Sequence, residues 1–358
     1  MNDSQIIGNV SDAERGLLRK STRDLLSNVW PADKAVENSS DAQAVGKLWS
    51  AMARQGLAAL GSDAAEAGLR EIILVFEELG RAACPAPLLG AVAANLALTS
   101  LPSNTARSLL ADLHQGKAAV ALALGTFDGD PAAGWVETKG DTLSGKVSFI
   151  EGVPSATHVL VFLREGIAVI ATDAPGLKVQ ATPGLAVPPF SDLAFESTPA
   201  VRLDVPAQTL ADIALVVWLA CTSRALGAAQ RAFDLAVDHA KVRKQFGQLI
   251  GQFQAVQHKL ANCLISLDGA RLALDAAAAA RDDGNPNWRV FASSAVAFAG
   301  PALRTVSIET HRALGAIGYA EEHEAPRHFR RVHADLARFG GVHRARAELA
   351  EFLLGPAR

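Results

Sequence analysis

The stretch VRKQFGQLIGQFQAVQHKLAN, Val242 to Asn262, sets groups able to hold an anion inside an apolar run. Arg243 and Lys244 carry positive charge, and Gln245 and Gln254 carry amides that both donate and accept. A guanidinium makes two parallel hydrogen bonds to phosphate oxygens, so a corner built on Arg243 suits phosphate or pyrophosphate. Taken alone, an Arg-Lys corner reads more readily as a solvated surface. Phe246, Leu249, Ile250, Phe253, Val256, Leu260 and Leu264 follow helical spacing and are expected in the core. Gly247 follows one helix and is expected to start the next. That puts Arg243, Lys244 and Gln245 at a helix–helix corner and Gln254 about two turns further on.

Metal chemistry is not expected. The nine histidines show no His-Glu-x-x-His spacing. Cys84, Cys221 and Cys263 are far apart and form no Cys-x-x-Cys, so neither a disulfide framework nor a zinc site is suggested. They read as reduced core thiols of a cytoplasmic protein.

The elements that must position the corner are mostly helical. Ser11 and Glu14 have capping-box spacing ahead of Leu17, Leu18, Leu25, Leu26 and Val29. AVGKLWSAMARQ, LREIILVFEELG and NTARSLLADLHQG are further helices, expected to stop at Gly56, Gly80 and Gly116. Eight of the 16 prolines lie between Pro131 and Pro206, which excludes long helices there. The short runs AVALAL, TLSGKVSFI, HVLVFL, IAVIAT and VRLDV read as strands of a small antiparallel barrel or sandwich. Helix returns from about Thr209, with a kink expected at Gly300-Pro301. The fold class is therefore α+β and mostly α. An N-terminal helical domain (1–116) precedes a central antiparallel β-domain (117–206) and a C-terminal four-helix-bundle domain (207–358).

Composition fits this plan. The chain has 358 residues, 49% hydrophobic and 20% charged, enough for more than one core. A net charge of −3 suggests no nucleic-acid partner and no polybasic membrane contact. The N-terminus lacks the basic and apolar regions of a signal peptide. No uncharged apolar run is long enough to span a membrane, the longest being Ile213 to Cys221.

RKQFGQLIGQFQAVQHKLAN resembles the signature of the acyl-CoA dehydrogenase family. Its flanks EELGRAACPAP, LGAAQRAFDLAVDHAKVRKQFG and LGAIGYAEEHEAPRHFRR resemble other family segments, so the likeness covers nearly the whole chain. It implies the same helix–β–helix fold and an FAD site shared between subunits. Arg243 matches the arginine that reaches the FAD pyrophosphate of a neighbouring protomer, and Phe246 the aromatic near its adenosine. Gln245 belongs to the same motif, and Gln254 matches a glutamine bonding to that region. Gly315 and Ala316 match a Gly-Gly whose backbone approaches the dinucleotide.

The departures lie elsewhere. Arg312 replaces a glutamine, GTFDGDPAAG replaces a Ser/Thr-rich segment, and Glu151 replaces a hydroxyl after Phe149 and Ile150 in the stretch beside the flavin ring. The family's reaction, α,β-dehydrogenation of an acyl-CoA, needs a carboxylate to take the α-proton. Its two usual positions correspond to Phe339 and Val217, and neither is an acid. No catalytic base is identified. Asp335 and Glu322 are weak candidates, as are Glu321, Glu324, His333 and His343. The chain is similar to the short subunits of heteromeric steroid side-chain acyl-CoA dehydrogenases. That similarity implies a homologous partner bearing the base, an α2β2 assembly, and electron-transfer flavoprotein or a similar acceptor. The alternatives are an FAD-poor structural or binding subunit, or a homo-oligomeric enzyme with a relocated base.

Overall fold

The computed structural model describes residues 10–38, 40–124, 136–163, 165–184, 187–338 and 340–355. Helices fill the first third: α1 (Asp12–Val29), α2 (Ala32–Asn38), α3 (Ala42–Arg54), α4 (Leu69–Arg81), α5 (Leu88–Leu98) and α6 (Asn104–His114). The capping box at the start of α1 forms: the Ser11 hydroxyl accepts from the Glu14 amide at 3.3 Å, and the Glu14 carboxylate accepts from the Ser11 amide at 2.8 Å. α2 and α5 were not expected. α5 carries no amphipathic signal because it is apolar on every side apart from Asn95 and all of it but Leu96 is buried, packed against α7 and β1 (bounds below).

Gly80 does not end its helix. α4 continues to Arg81, and Gly80 lies where α4 crosses α7. A Cβ there would stand 1.9 Å from the Arg224 carbonyl oxygen. On the other side, a Cβ at Gly227 would stand 1.8 Å from the Glu77 carbonyl oxygen. The two glycines let the backbones touch.

The middle of the chain holds β1 (Val120–Ala123), β2 (Val136–Lys139), β3 (Thr142–Glu151), β4 (His158–Phe162), β5 (Ile167–Ala171), β6 (Leu177–Ala181), β7 (Phe190–Pro199) and β8 (Val201–Leu203). Among the described residues they form two four-stranded sheets, ordered β1-β4-β5-β8 and β2-β3-β7-β6. Every pairing is antiparallel except β1 with β4. Leu143, Val147, Ile150, Val159, Ile170, Leu193 and Phe195 form a separate core for these strands.

Helix then returns as α7 (Ala207–Val242), α8 (Gln254–Asp282), α9 (Trp288–Leu314), α10 (Ala325–Ala337) and α11 (Gly341–Leu354). α9 contains Pro301 within its length. α7 and α9 are long and apolar enough to cross a membrane by length and composition alone, although no such run was expected. The apolar window of α7 is 89% buried, as befits the central helix of a protein core. One continuous core runs from Leu26 in α1 through α4, α5 and α7 to Ala345 in α11, so the first and last helical regions pack as one mass.

Candidate functional site

The Arg243 corner is a hairpin, not a helix junction. α7 ends at Val242, and the Arg243 amide donates to the His239 carbonyl at 2.9 Å. Lys244–Gln245 (β9) then pairs with Gln248–Leu249 (β10). Phe246 and Gly247 make the turn at φ of +51° and +82°. Positive φ at both turn residues matches the twist of a two-residue hairpin, and Phe246 holds it without glycine's freedom. A 3₁₀ turn over Ile250–Gln252 follows, and Gln254 is the first residue of α8 instead of lying two turns into a helix.

This geometry corrects the expectation for the apolar run. None of Phe246, Leu249, Ile250, Phe253, Val256, Leu260 and Leu264 is buried. Phe246 is 93% exposed and meets Phe253 edge-on, at 6.2 Å between ring centres. The hairpin breaks the helical phase, which leaves Leu249, Ile250, Phe253, Val256 and Leu260 half-buried and Phe246 and Leu264 exposed. Arg243, Lys244, Gln245 and Gln254 are exposed beside it.

The second half of the corner comes from the end of α9. Gly315 terminates the helix at φ +62°, and Gly315–Tyr319 forms a 3₁₀ turn in which Gly315 and Ala316 are exposed. A groove lies between the first turns of α8 and the end of α9, lined by Ala255, Lys259, Leu260, Glu309 and Arg312. Arg312 is turned to Glu309 at 2.6 Å, as is Lys259 at 2.9 Å.

The other end of the 3₁₀ turn opens on a cavity of about 460 Å³ between β7 and α10, lined by Phe190, Gly318, Tyr319, Phe329 and His333. Phe149 meets Phe190 edge-on at 6.3 Å. Tyr319, His311, Phe329 and His333 touch in sequence with centres 4.6, 4.6 and 4.3 Å apart, the first pair edge-on and the other two tilted. Burial lowers the pKa of both His311 and His333, which favours their neutral form.

Behind this cavity lies a cluster of buried charge. Arg224 of α7, 0% exposed, donates to both Glu151 oxygens at 2.6 and 2.7 Å and to both Asp335 oxygens at 2.6 and 2.9 Å. Arg338 donates to Glu151 at 2.7 Å. Arg331 donates to the Cys84 carbonyl at 2.9 Å. Burial pushes the Glu151 carboxyl up, but Arg224 and Arg338 override it and hold it at about 2. Burial and the neighbouring Arg224 lower Arg331 to about 10. Burial first, with the nearby Glu151 carboxylate and, for Cys221, Asp335 adding to it, lifts the Cys84 and Cys221 thiols to about 11 and 12, which makes them inert.

The base candidates are thus disposed differently. Asp335 is fully engaged by Arg224. Glu324 is bound by Arg231 and His328 and held at about 2, against the raising effect of burial. Glu321 pairs with Arg330, while Glu322 and His343 are exposed. Val217 is wholly buried in α7, and Trp218 beside it is stacked under Arg344. Phe339 and the segment GTFDGDPAAG lie outside the described residues. Among the described residues no cluster of metal-binding side chains occurs.

Sequence reasoning noted Glu151 but missed Arg224, its partner 73 positions away. The signal was there: a lone arginine in the small and apolar run LACTSRALGAA demands a buried counter-charge.

Comparison with known proteins follows this geometry. Residues 219–352 match the family model described as acyl-CoA dehydrogenase, C-terminal domain. The acyl-CoA dehydrogenase IpdE2 of Mycobacterium tuberculosis is 30% identical over 326 residues, covering 89% of this chain and 91% of that protein. A variant of the Tcur3481–Tcur3483 steroid ACAD superposes with a TM-score of 0.84 at 27% identity, covering 96% of this chain and 98% of that one. The ChsE4–ChsE5 complex from Mycobacterium tuberculosis shares the fold with a TM-score of 0.85 at 20% identity, covering 98% and 99%. The chain belongs to the acyl-CoA dehydrogenase family.

Proposed function

We propose that this chain is one subunit of an FAD-dependent, cytoplasmic acyl-CoA dehydrogenase, working on an acyl-CoA such as a steroid side-chain thioester. It joins a homologous partner in an α2β2 assembly that passes electrons to electron-transfer flavoprotein or a similar acceptor. The observation that carries the reading is the exposed corner. Arg243, Gln245, Phe246 and Gln254 stand uncovered on one face, and Gly315 and Ala316 lie exposed across a groove from it. A guanidinium, two amides, an open aromatic face and a glycine at positive φ fit the pyrophosphate and adenosine of a dinucleotide reaching in from another chain.

The flavin-ring side fits less well. Phe149, Phe190 and Phe329 offer flat apolar surface, but Glu151, where a hydroxyl could donate, is an ionised carboxylate turned to two guanidiniums. FAD, when bound, supplies the hydride acceptor. This chain's residues anchor the cofactor's polar half, and the partner supplies the ring-side crevice and the carboxylate that takes the α-proton. The Glu151–Arg224 cluster also favours a second reading, a subunit that stabilises the complex without holding flavin itself.

The test is dehydrogenation of a steroid or branched acyl-CoA with an artificial electron acceptor, using this chain alone, a glutamate-bearing homologue alone, and both together. General-base catalysis contributes about 10²–10⁴-fold, so this chain alone should be near-silent and the pair active. Robust turnover by this chain alone refutes the partner reading. A pair whose activity and flavin content survive loss of the corner residues supports the structural-subunit reading.

A further inference from the structure

Gly315 and Ala316 stand on a turn that cannot fix its own place. Within Gly315–Tyr319 the only buried residue is Gly318. The seat is His311, in the last turn of α9 and 8% exposed. Its carbonyl accepts from the Gly315 amide at the near end of the turn. Its ring supports the far end. A Cβ on Gly318 would stand 3.2 Å from the His311 carbonyl oxygen and 3.4 Å from the ring atoms Cγ and Cε1, which is tight for a side chain. Glycine at 318 thus lets the backbone of the turn rest on the imidazole. The same ring meets Tyr319 edge-on and Phe329 of α10 at a tilt, both at 4.6 Å. One side chain ties together the end of α9, the turn and α10.

That side chain titrates. Burial lowers the His311 pKa below the ordinary 6.5, and the Arg330 charge on α10 lowers it further. Arg330 is paired with Glu321. The turn contributes the Tyr319 phenol, and α10 contributes His333, itself lowered by burial, then by Arg304 and His311. On α9, Glu309 is taken by Lys259 and Arg312. Among the described residues no carboxylate pairs with the ring, so the seated state is the neutral one. If the turn lifts, the ring meets water and takes a proton at its ordinary pKa. Protons therefore favour the lifted turn as pH falls below 6.5, by at most about tenfold per pH unit for a single group.

We propose that His311 is a positioning residue for the polar half of FAD, which on the function proposed above meets Gly315 and Ala316: its neutral ring seats the turn that presents them. Acid unseats the turn and weakens the hold on the cofactor.

Two measurements on the full-length chain test this. The first is the FAD affinity of the assembled protein, read by flavin fluorescence at about pH 7.5 and about pH 5.5. The parent should lose about three- to tenfold in affinity at the lower pH. His311→Ala should weaken FAD about tenfold at the higher pH. His311→Phe, a flat ring that takes no proton, should recover most of that loss and show no further loss in acid. Gly318→Ala crowds the turn off the ring and should weaken FAD with every proposed contact residue intact. The second measurement needs no flavin and no variant to start from. Tyr319 is the chain's only tyrosine, so isotope-labelled tyrosine gives a single ring resonance. It should shift in a one-proton transition centred below 6.5, which vanishes in His311→Phe and remains in His333→Phe. A Tyr319 signal that does not titrate there, or titrates unchanged in His311→Phe, overturns the proposal. So does a loss of FAD in acid that is equal in the parent and His311→Phe, or no loss in either. Arg243→Ala separates the two levels. If it loses flavin while the His311 and Gly318 variants keep it, the positioning role alone fails. If it too keeps flavin, the function proposed for the corner fails.

Discussion

Arg243 and Arg224 are the same residue type doing opposite work. Arg243 is exposed at a helix end, where the proposed function has it meet a neighbour's dinucleotide. A charge-assisted bidentate contact contributes about 1.5–3 kcal/mol, so Arg243→Ala should weaken FAD retention in the assembled enzyme roughly ten- to a hundredfold. Flavin absorbance after dilution and gel filtration reads this directly, and full retention would remove Arg243 from the site. Arg224 is sealed, and its effect appears in stability instead. Glu151 falls from the ordinary 4.5 to about 2 on folding, and Glu324 does the same. A carboxyl whose pKa is depressed in the folded state stabilises it above the unfolded pKa, and that contribution is lost as pH falls through the folded one. Melting temperature should therefore drop steeply as pH falls from 4.5 toward about 2. Glu151→Gln should lower stability at neutral pH and flatten this acid limb. An unchanged limb in both Glu151→Gln and Glu324→Gln would show that other groups set it. The Arg243 motif stands out in the sequence because its residues are contiguous. The Arg224 cluster joins β3, α7 and α10, and no local window contains it.

The elements that hold these residues were legible where local chemistry decides them. Ser11 and Glu14 announce α1, and the prolines of the middle segment announce short strands. Gly80 misled because a glycine that permits close packing and a glycine that ends a helix look alike in sequence. The strand FSDLAFESTP was passed over among the prolines, although it alternates, with Ser191, Leu193 and Phe195 buried on one face. The α4–α7 crossing makes its own prediction. Gly227→Ala sets a methyl carbon 1.8 Å from a backbone oxygen of Glu77, an atom that cannot swing aside. The helices must separate, and overpacking of this kind costs about 1–3 kcal/mol or more. Urea unfolding should show at least that loss. A control, Gly46→Ala, meets nothing within 4 Å and should not lower stability. Equal stability of the two variants would mean that the crossing is looser than the backbone positions imply.

At the scale of the whole molecule, the apolar residues of the opening stretch were expected in the core and none of them is buried, because the hairpin breaks the helical phase. Ile265 and Leu272, seven residues apart on α8, are both 69% exposed. Phe291 and Phe298, seven apart on α9, are 42% and 50% exposed. Phe298 lies across α8 at Gly269, where an added Cβ would come within 2.9 Å of its ring, so the two stripes share one face. Contiguous apolar surface of this kind marks an interface. The occupant that fits is a homologous chain, because the same helix α8 begins at the Gln254 corner, where a neighbour's dinucleotide is expected. Burying a charged side chain at the centre of such a face is costly, so Ile265→Glu with Leu272→Glu should dissociate the assembly. Light scattering should then report a species near 37.4 kDa for this chain, with flavin lost in step. The fold should survive, since neither side chain belongs to the core. A double variant that keeps the parent's mass and flavin would place the interface elsewhere.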